Sequence, residues 1–165
     1  MKVVRNDKEE ERRLKALSEY RILGTEPESC YDDITQIAAK TCHVPISLMT
    51  LVDKDRQWFK SKVGFQANET RRDWSFCTHA IKEDNPLIIK DACLDKRFVN
   101  NPLVTGDPKI RFYAGFPLKN NDGNKLGTLC VIDRKPGSLS SEQGFIMELL
   151  AKQIVSFLEL RKRSL

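Results

Sequence analysis

Two apolar segments joined by a tight polar turn constrain the fold of this chain more than any other feature of its sequence. In the first segment, 110–118, alternate residues form an apolar face that consists of Ile110, Phe112, Ala114, Phe116 and Leu118. The turn 120–124 contains Asp-Gly, the strongest short-range hairpin signal, and a second apolar segment follows at 125–132. The pattern predicts an antiparallel hairpin.

A second hairpin is predicted upstream of the first. Residues 46–52 form a strongly apolar run, which is typical of a buried strand, and the polar turn 53–56 follows it. Residues 57–63 alternate as in a strand with one solvent-facing side. The side chains expected on that side are Trp58, Lys60 and Lys62.

Three longer helices are predicted from apolar residues that recur at helical spacing. The first covers 7–20. The second begins at Thr25, which forms a capping box with Glu28. The third covers 140–163 and also starts with a capping box, at Ser140. Its apolar surface is wider than one face of a sheet requires, which favours a second packing partner.

The middle of the chain, residues 64–109, lacks long regular elements. The sequence predicts short helices at 74–82 and 94–99 and a short strand at 86–89, separated by loops that contain prolines. The order of elements predicts an α+β fold with a central antiparallel sheet, N- and C-terminal helices on one face, and short helices and loops over a pocket on the other.

Composition limits the functional classes. The chain has 165 residues, 40% hydrophobic and 31% charged, which fits a single globular domain over 1–165. No apolar run is long enough to span a bilayer and no secretory signal is evident, so we expect a cytoplasmic protein with no membrane partner. The net charge is +5, but the basic residues are scattered, which argues against nucleic-acid binding.

The five cysteines are spaced irregularly and form no CxxC pair or Cys/His cluster, so they are interpreted as buried thiols and no metal site is expected. Cys77 and His79 lie close in sequence, but positions i and i+2 of a helix do not face each other. The sequence therefore predicts no catalytic residues.

Four separated blocks carry a resemblance to a known family. They are LMTLVDKDRQWFKSKVG, RRDWSFCTHAI, IRFYAGFPLKNNDGNKLGTLCVID and the start of the last helix, LSSEQ. In sequence and order they resemble a bacterial class of GAF domains that is often attached to histidine kinases or diguanylate cyclases. The resemblance runs from about Arg13 to Arg161.

The resemblance implies a small-ligand pocket on one face of the sheet and a homodimer formed through the terminal helices. It also implies a kinase or cyclase output domain as a partner. The leading hypothesis is a non-catalytic sensor that binds an unidentified small molecule; no cofactor is identified. The alternatives are a GAF-type methionine sulfoxide reductase and a dimerisation module whose pocket is filled by its own side chains.

Five residues are predicted to line the pocket. Trp74 and Tyr113 combine an aromatic ring with a polar group, and Arg111 shares a strand face with Tyr113 and could pair with an anion. His79 is expected in the pocket wall, and Asp91 could orient a donor group of a ligand. Each of these residues could instead have a purely structural role.

Two known ligand types fit the sequence poorly. Bilin-binding GAF domains use a Cys-His dipeptide in a pocket helix, whereas Cys42-His43 is expected at the end of the second helix. The signature of GAF domains that bind cyclic nucleotides is also missing from the sequence.

Overall fold

The computed structural model describes residues 7–165 as a six-stranded sheet with helices on both sides. The strands are β1 (Ile46–Val52), β2 (Arg56–Val63), β3 (Glu69–Arg71), β4 (Leu87–Ile89), β5 (Phe112–Lys119) and β6 (Lys125–Asp133). The helices are α1 (Asp7–Glu19), α2 (Ser29–Cys42), α3 (Cys77–Ala80), α4 (Pro102–Thr105) and α5 (Ser141–Arg163). Two single 3-10 turns lie at Arg72–Trp74 and Ala92–Leu94.

The strands are arranged in the order β3-β2-β1-β6-β5-β4, and all neighbours run antiparallel. Both predicted hairpins are confirmed. In the β5–β6 turn the side-chain oxygen of Asn120 accepts the backbone N–H groups of Asp122 and Asn124, at 3.1 and 2.8 Å. Gly123 has a φ of +84°, which glycine adopts without strain. The predicted α+β fold with a central antiparallel sheet is confirmed.

One face of the sheet is covered by α1, α2 and α5. The capping box that starts α5 is present, because Ser140 and Gln143 exchange side-chain and backbone hydrogen bonds. The buried side chains of α5 recur every three or four residues and form one stripe against the sheet: Met147, Ala151, Ile154 and Leu158. Only part of the apolar surface predicted for α5 therefore packs against the sheet.

Residues 64–109 cover the opposite face, as predicted. The rings of Phe76 and Phe98 stack with their centroids 4.1 Å apart, and the ring centroid of Tyr113 in β5 lies 5.1 Å from that of Phe76. These side chains belong to a second core cluster that also includes Leu103 and Ile132. Aromatic packing thus holds the covering segment on the sheet, although few of its residues lie in regular elements.

Several boundaries in the covering segment were predicted wrongly. The loop expected at 64–73 contains β3, and the helix expected at 74–82 is reduced to the single turn α3. The helix expected at 94–99 is replaced by turns that follow the 3-10 turn, and α4 lies in the expected loop 100–109. Segments this short have little helical stability of their own, so their contacts with the sheet decide their conformation.

The beginning of β5 also differs from the prediction. Lys109 has a φ of +58°, and the backbone N–H of Ile110 donates to the carbonyl of Leu103 at 2.9 Å. Ile110 therefore packs in the second core cluster, on the face opposite to Phe112. The other predicted members of that strand face, which are Ala114, Phe116 and Leu118, pack with Phe112 on the helical side as expected.

The prediction of a solvent-facing side of β2 is wrong, because the β1–β2 register shifts between Met49 and Thr50. The shift leaves Lys60 as an extra residue, and both Lys60 and Ser61 contact the helical layer. A bulge of this kind breaks the two-residue alternation on which the prediction rested. Trp58 is buried in the helical-side core, and only Lys62 of the three residues is partly exposed.

The start of α2 was predicted wrongly for a related reason. The Lys60 side chain is fully buried, and its Nζ donates to Thr25 Oγ1 at 2.8 Å and contacts the Glu28 carboxylate at 2.6 Å. A buried ammonium requires such partners. Thr25 thus serves Lys60 instead of capping a helix, and α2 begins only at Ser29.

A buried charge network ties α1 to the covering segment. Glu10 accepts two hydrogen bonds from Arg13, both at 3.0 Å, and it also forms an ion pair with Arg72. The guanidinium of Arg72 also donates to the carbonyl of Asp53 at 3.0 Å. Burial alone raises the pKa of Glu10, but the two arginines outweigh it and lower the pKa to about 2.

We predict that Glu10→Gln destabilises the fold by about 3 kcal/mol, because it leaves two largely buried guanidinium groups without a counter-charge. Denaturant unfolding at pH 7 measures this loss. Because the pKa is lower in the folded state, the stabilisation is present above pH 4.5 and disappears as the pH falls toward 2. Stability should therefore fall less steeply over this range in the variant than in the wild type. Equal slopes would contradict the assignment.

Candidate functional site

The covering segment does not close completely over the sheet. A groove of about 640 Å³ lies between the loop that joins β2 to β3 and the loop that follows α4. Its walls are formed largely by 64–71 and 103–108, with Trp74 between them and Arg134 at the rim. Grooves of this size, bounded by loops on a rigid sheet, are typical of small-molecule sites.

The rim of the groove combines an indole ring with cationic side chains. The guanidinium of Arg71 lies 5.4 Å from the ring centroid of Trp74 and is paired with Asp73 at 2.8 Å. The side-chain amide of Asn101 donates to the backbone carbonyl of Trp74 at 3.0 Å and fixes its position. Arg134 is exposed and takes part in none of the ion pairs among residues 7–165. Asp55, Glu69 and Asp107 also line the groove, so it carries charges of both signs. A planar group would find an aromatic partner in Trp74, and Arg134 is the cation open to a polar group of a ligand.

A small cavity of about 20 Å³ lies deeper, against the sheet. It shares four lining residues with the groove, which are Phe65, Thr70, Leu103 and Pro108. A polar cavity needs roughly 10–15 Å³ to hold one water molecule, so this one accepts a water or a molecule of similar size. The groove and the small cavity are therefore neighbours.

The floor of the small cavity carries a buried polar cluster. Cys77 Sγ lies 3.2 Å from Tyr113 Oη and 3.1 Å from Thr128 Oγ1, and Thr128 Oγ1 lies 3.0 Å from Thr50 Oγ1. Cys130 lines the same cavity and lies two residues after Thr128 in β6. Burial raises the pKa of Tyr113 well above its usual value, and the neighbouring Cys77 adds to this effect, so the phenol stays protonated.

The groove and the small cavity bring together only two of the five predicted pocket residues. Trp74 lines the groove, and Tyr113 lines the small cavity. His79, Asp91 and Arg111 contribute to neither lining.

Each of these three residues has a structural partner. The ring of His79 packs edge-on against Phe98 with centroids 4.9 Å apart, and burial lowers its pKa, helped by the nearby Lys82 and Arg97. Asp91 caps the second 3-10 turn by accepting the N–H of Cys93 at 3.0 Å. Arg111 Nη1 donates to the carbonyl of Val104 at 2.9 Å.

The sequence analysis missed other residues of the two cavities. Arg71 and Arg134 lie at the rim, and Gln57 lies in the lining of the small cavity, where its amide contacts Thr70 and Ser75. The dipeptide Arg71-Arg72 just before Trp74 was the available signal. Arg134 lies beyond the end of β6, and only the tertiary fold brings it to the groove.

Two further open grooves, of about 640 and 460 Å³, lie where β5 meets α5. They are formed by surface side chains such as Lys90, Glu148 and Lys152 and lead to no interior cavity. No group of three or more potential metal ligands occurs among residues 7–165. The groove beside Trp74 is therefore the best candidate for a binding site.

We predict that Gly115→Ala destabilises the fold by about 2 kcal/mol, because the added Cβ would lie 2.1 Å from Tyr113 Oη and force the buried phenol out of its cluster. Thermal unfolding measures the loss. The matched control is Gly144→Ala in α5, where the added methyl group meets nothing within 4 Å. It should stabilise the helix by up to about 1 kcal/mol. Equal effects of the two substitutions would contradict the described packing.

The fold and groove can be compared with known proteins. A cyclic di-GMP phosphodiesterase of Pseudomonas aeruginosa is 39% identical over 130 residues, which are 78% of this chain but only 22% of that protein. The chain thus spans about a fifth of this curated relative. No helix within residues 7–165 combines the length and apolar character needed to cross a membrane.

Solved structures with low sequence identity share the fold. The GAF domain of an Acinetobacter phosphoenolpyruvate-protein phosphotransferase is 14% identical, covers 91% of this chain and 92% of its own, and has a TM-score of 0.65. The free methionine-R-sulfoxide reductase of Neisseria meningitidis is 13% identical, with coverages of 93% and 92% and a TM-score of 0.67. Residues 26–157 match the model of the GAF domain, so this chain belongs to the GAF domain family.

Proposed function

We propose that this GAF domain is a non-catalytic sensor that binds a small molecule in the groove beside Trp74. The observation that supports the proposal is the combination of an open groove with a small cavity directly beneath it. Trp74 offers an apolar face, and Arg134 is an exposed cation in a lining that also contains Asp55, Glu69 and Asp107. Tyr113 lies at the floor of the small cavity, where it helps to hold the covering segment on the sheet.

A ligand in this groove would act on α5 through a short chain of contacts. The groove includes Arg56 at the start of β2, and Lys60 of the same strand forms an ion pair with Glu28 at 2.6 Å. Glu28 also contacts Arg161 of α5 at 3.4 Å. We infer that a shift of β2 changes how the end of α5 is held. This gives two states whose populations a ligand can bias.

An enzymatic output domain is the partner that this mechanism requires. We propose a kinase, cyclase or cyclic di-GMP phosphodiesterase domain, in a bacterial signalling protein that acts in the cytoplasm. The support is the relative from Pseudomonas aeruginosa, in which the matching region is one part of a much longer protein.

The enzyme alternative has less support from the site geometry. A methionine sulfoxide reductase needs a reactive thiol beside a space that holds an amino acid. In this chain Cys77 and Cys130 are buried beside a cavity of about 20 Å³. Cys93 is exposed but lines neither the groove nor the small cavity.

We predict that native mass spectrometry of protein purified from its own cells detects a retained small molecule. Trp74→Ala should weaken its binding about tenfold or more, because truncated aromatic anchors commonly cost this much. Thermal shift measurements with the extracted compound give the affinity, since a ligand of the folded state raises Tm. Leu94→Ala is the matched control, because Leu94 is a large exposed side chain outside the groove. Equal affinity in the two variants would place the site elsewhere.

We also propose a homodimer formed through α5. Three large apolar side chains of this helix remain exposed, which are Phe145, Leu149 and Leu160. Four further apolar residues of α5 divide into two sets. Ile154 and Leu158 are buried against the sheet and form the layer beneath, whereas Leu150 and Phe157 are only partly buried. An apolar stripe on a long helix commonly seeks a second helix.

We predict that Leu149→Lys converts the dimer to monomers at micromolar concentration, because it places an unpaired charge in the apolar stripe. Sedimentation velocity reports the change in mass. Glu148→Lys changes charge at the neighbouring exposed position and should leave the dimer intact. A wild-type protein that is monomeric throughout this concentration range would contradict the proposal.

A further inference from the structure

The buried thiols Cys77 and Cys130 come from different layers of the fold. Cys77 is the first residue of α3 in the covering segment, and Cys130 lies in β6 of the sheet. Both are at most 2% exposed and line the same small cavity, and Cys77 Sγ lies 3.1 Å from the hydroxyl of Thr128, two residues before Cys130 in β6. They are far apart in the sequence, and the other three cysteines lie elsewhere as free thiols.

The surroundings of this thiol pair favour one negative charge. Tyr113 and Thr128 have hydroxyl groups within 3.2 and 3.1 Å of Cys77 Sγ, so both can donate to a thiolate. Burial raises the pKa of the Cys77 thiol, but hydrogen bonds from Cys130, Thr128, Thr50 and Tyr113 outweigh this and lower it. The neighbouring Cys77, together with burial, raises the pKa of Cys130 well above its usual value. The hydroxyl groups of Tyr113 and Thr128 beside Cys77 Sγ make Cys77 the attacking thiol of the pair.

The volume of the cavity restricts which molecules can reach the thiol pair. Both cysteines line the small cavity of about 20 Å³, and Phe65 and Leu103 line both this cavity and the groove. A molecule close to water in size fits the cavity, whereas a sulfoxide amino acid or glutathione does not.

We propose that Cys77 and Cys130 form a peroxide-reactive dithiol that closes to a disulfide between the covering segment and the sheet. The Cys77 thiolate attacks one oxygen of hydrogen peroxide and breaks the O–O bond. This gives a sulfenic acid and hydroxide, which takes up the proton released by the thiol to form water. The Cys130 thiol then attacks the sulfenic sulfur and releases a second water. In sum, two thiols and one peroxide give one disulfide and two waters.

The disulfide would change the site beneath the groove. It fixes α3 to β6 by a covalent bond and removes the thiol that contacts Tyr113 and Thr128. The covering segment then loses freedom at the floor of the small cavity. Oxidation of the pair is independent of any ligand in the groove, so the two proposals can fail separately.

The test treats the whole chain with a small excess of hydrogen peroxide, followed by alkylation of the remaining thiols and peptide mass spectrometry. We expect a crosslinked Cys77–Cys130 peptide that dithiothreitol reverses. The exposed Cys93 is the internal reference, and Cys77 should react about tenfold faster, because the hydroxyl groups of Tyr113 and Thr128 can donate to its thiolate. A disulfide-dependent rise in Tm should accompany the crosslink.

Two variants test the order of the steps. In Cys130→Ser the sulfenic acid of Cys77 should persist and be trapped by dimedone, while Cys42→Ser, which alters a buried thiol in α2, should still form the crosslink. If a variant does not fold, peptide mapping of the wild type alone decides. Oxidation of Cys93 while Cys77 and Cys130 stay reduced would overturn the proposal.

Discussion

The pairing of β1 with β6 is the contact on which the rest of the structure depends. Each of the two hairpins could form locally, and this pairing joins them into one sheet with two faces. At Gly127 the strands approach so closely that a Cβ would lie 1.9 Å from the carbonyl oxygen of Thr50. On the face that residues 64–109 cover, the hydroxyl oxygens of Thr50 and Thr128 lie 3.0 Å apart, and that of Thr128 is hydrogen-bonded to Cys77 Sγ. The central pairing thus positions both the helical layer and the floor of the small cavity.

Buried charges link this sheet to the elements around it. Lys60 projects from a bulge in β2 into the helical layer, and Arg72 connects the covering segment to Glu10 of α1. Each ion needs its partners because an unpaired buried charge is costly. Such pairs define geometry more sharply than apolar contacts do, because few arrangements satisfy all their hydrogen bonds. Ion pairs therefore connect both α1 and α5 to the elements beside the groove.

Sequence patterns predicted the parts of the fold that local physics determines. The alternation from Phe112 to Leu118 and the Asp-Gly turn identified the β5–β6 hairpin, and Ser140 marked the start of α5. The bulge at Lys60 was not predictable, because one extra residue reverses the facing of a strand without a composition signal. The role of Thr25 was not predictable either, because its hydrogen-bond partner, Lys60, is distant in the sequence.

The candidate site was less predictable because it depends on contacts between distant segments. Trp74 and Tyr113 were identified because their side chains combine an aromatic ring with a polar group. Arg134 and the thiol pair gave no local signal, since each depends on how the covering segment meets the sheet. Irregular segments adopt the conformation that their packing imposes, and here Phe76, Phe98 and Tyr113 impose it. The shape of the groove and of the small cavity is therefore decided by tertiary packing of the covering segment, which no local sequence pattern encodes.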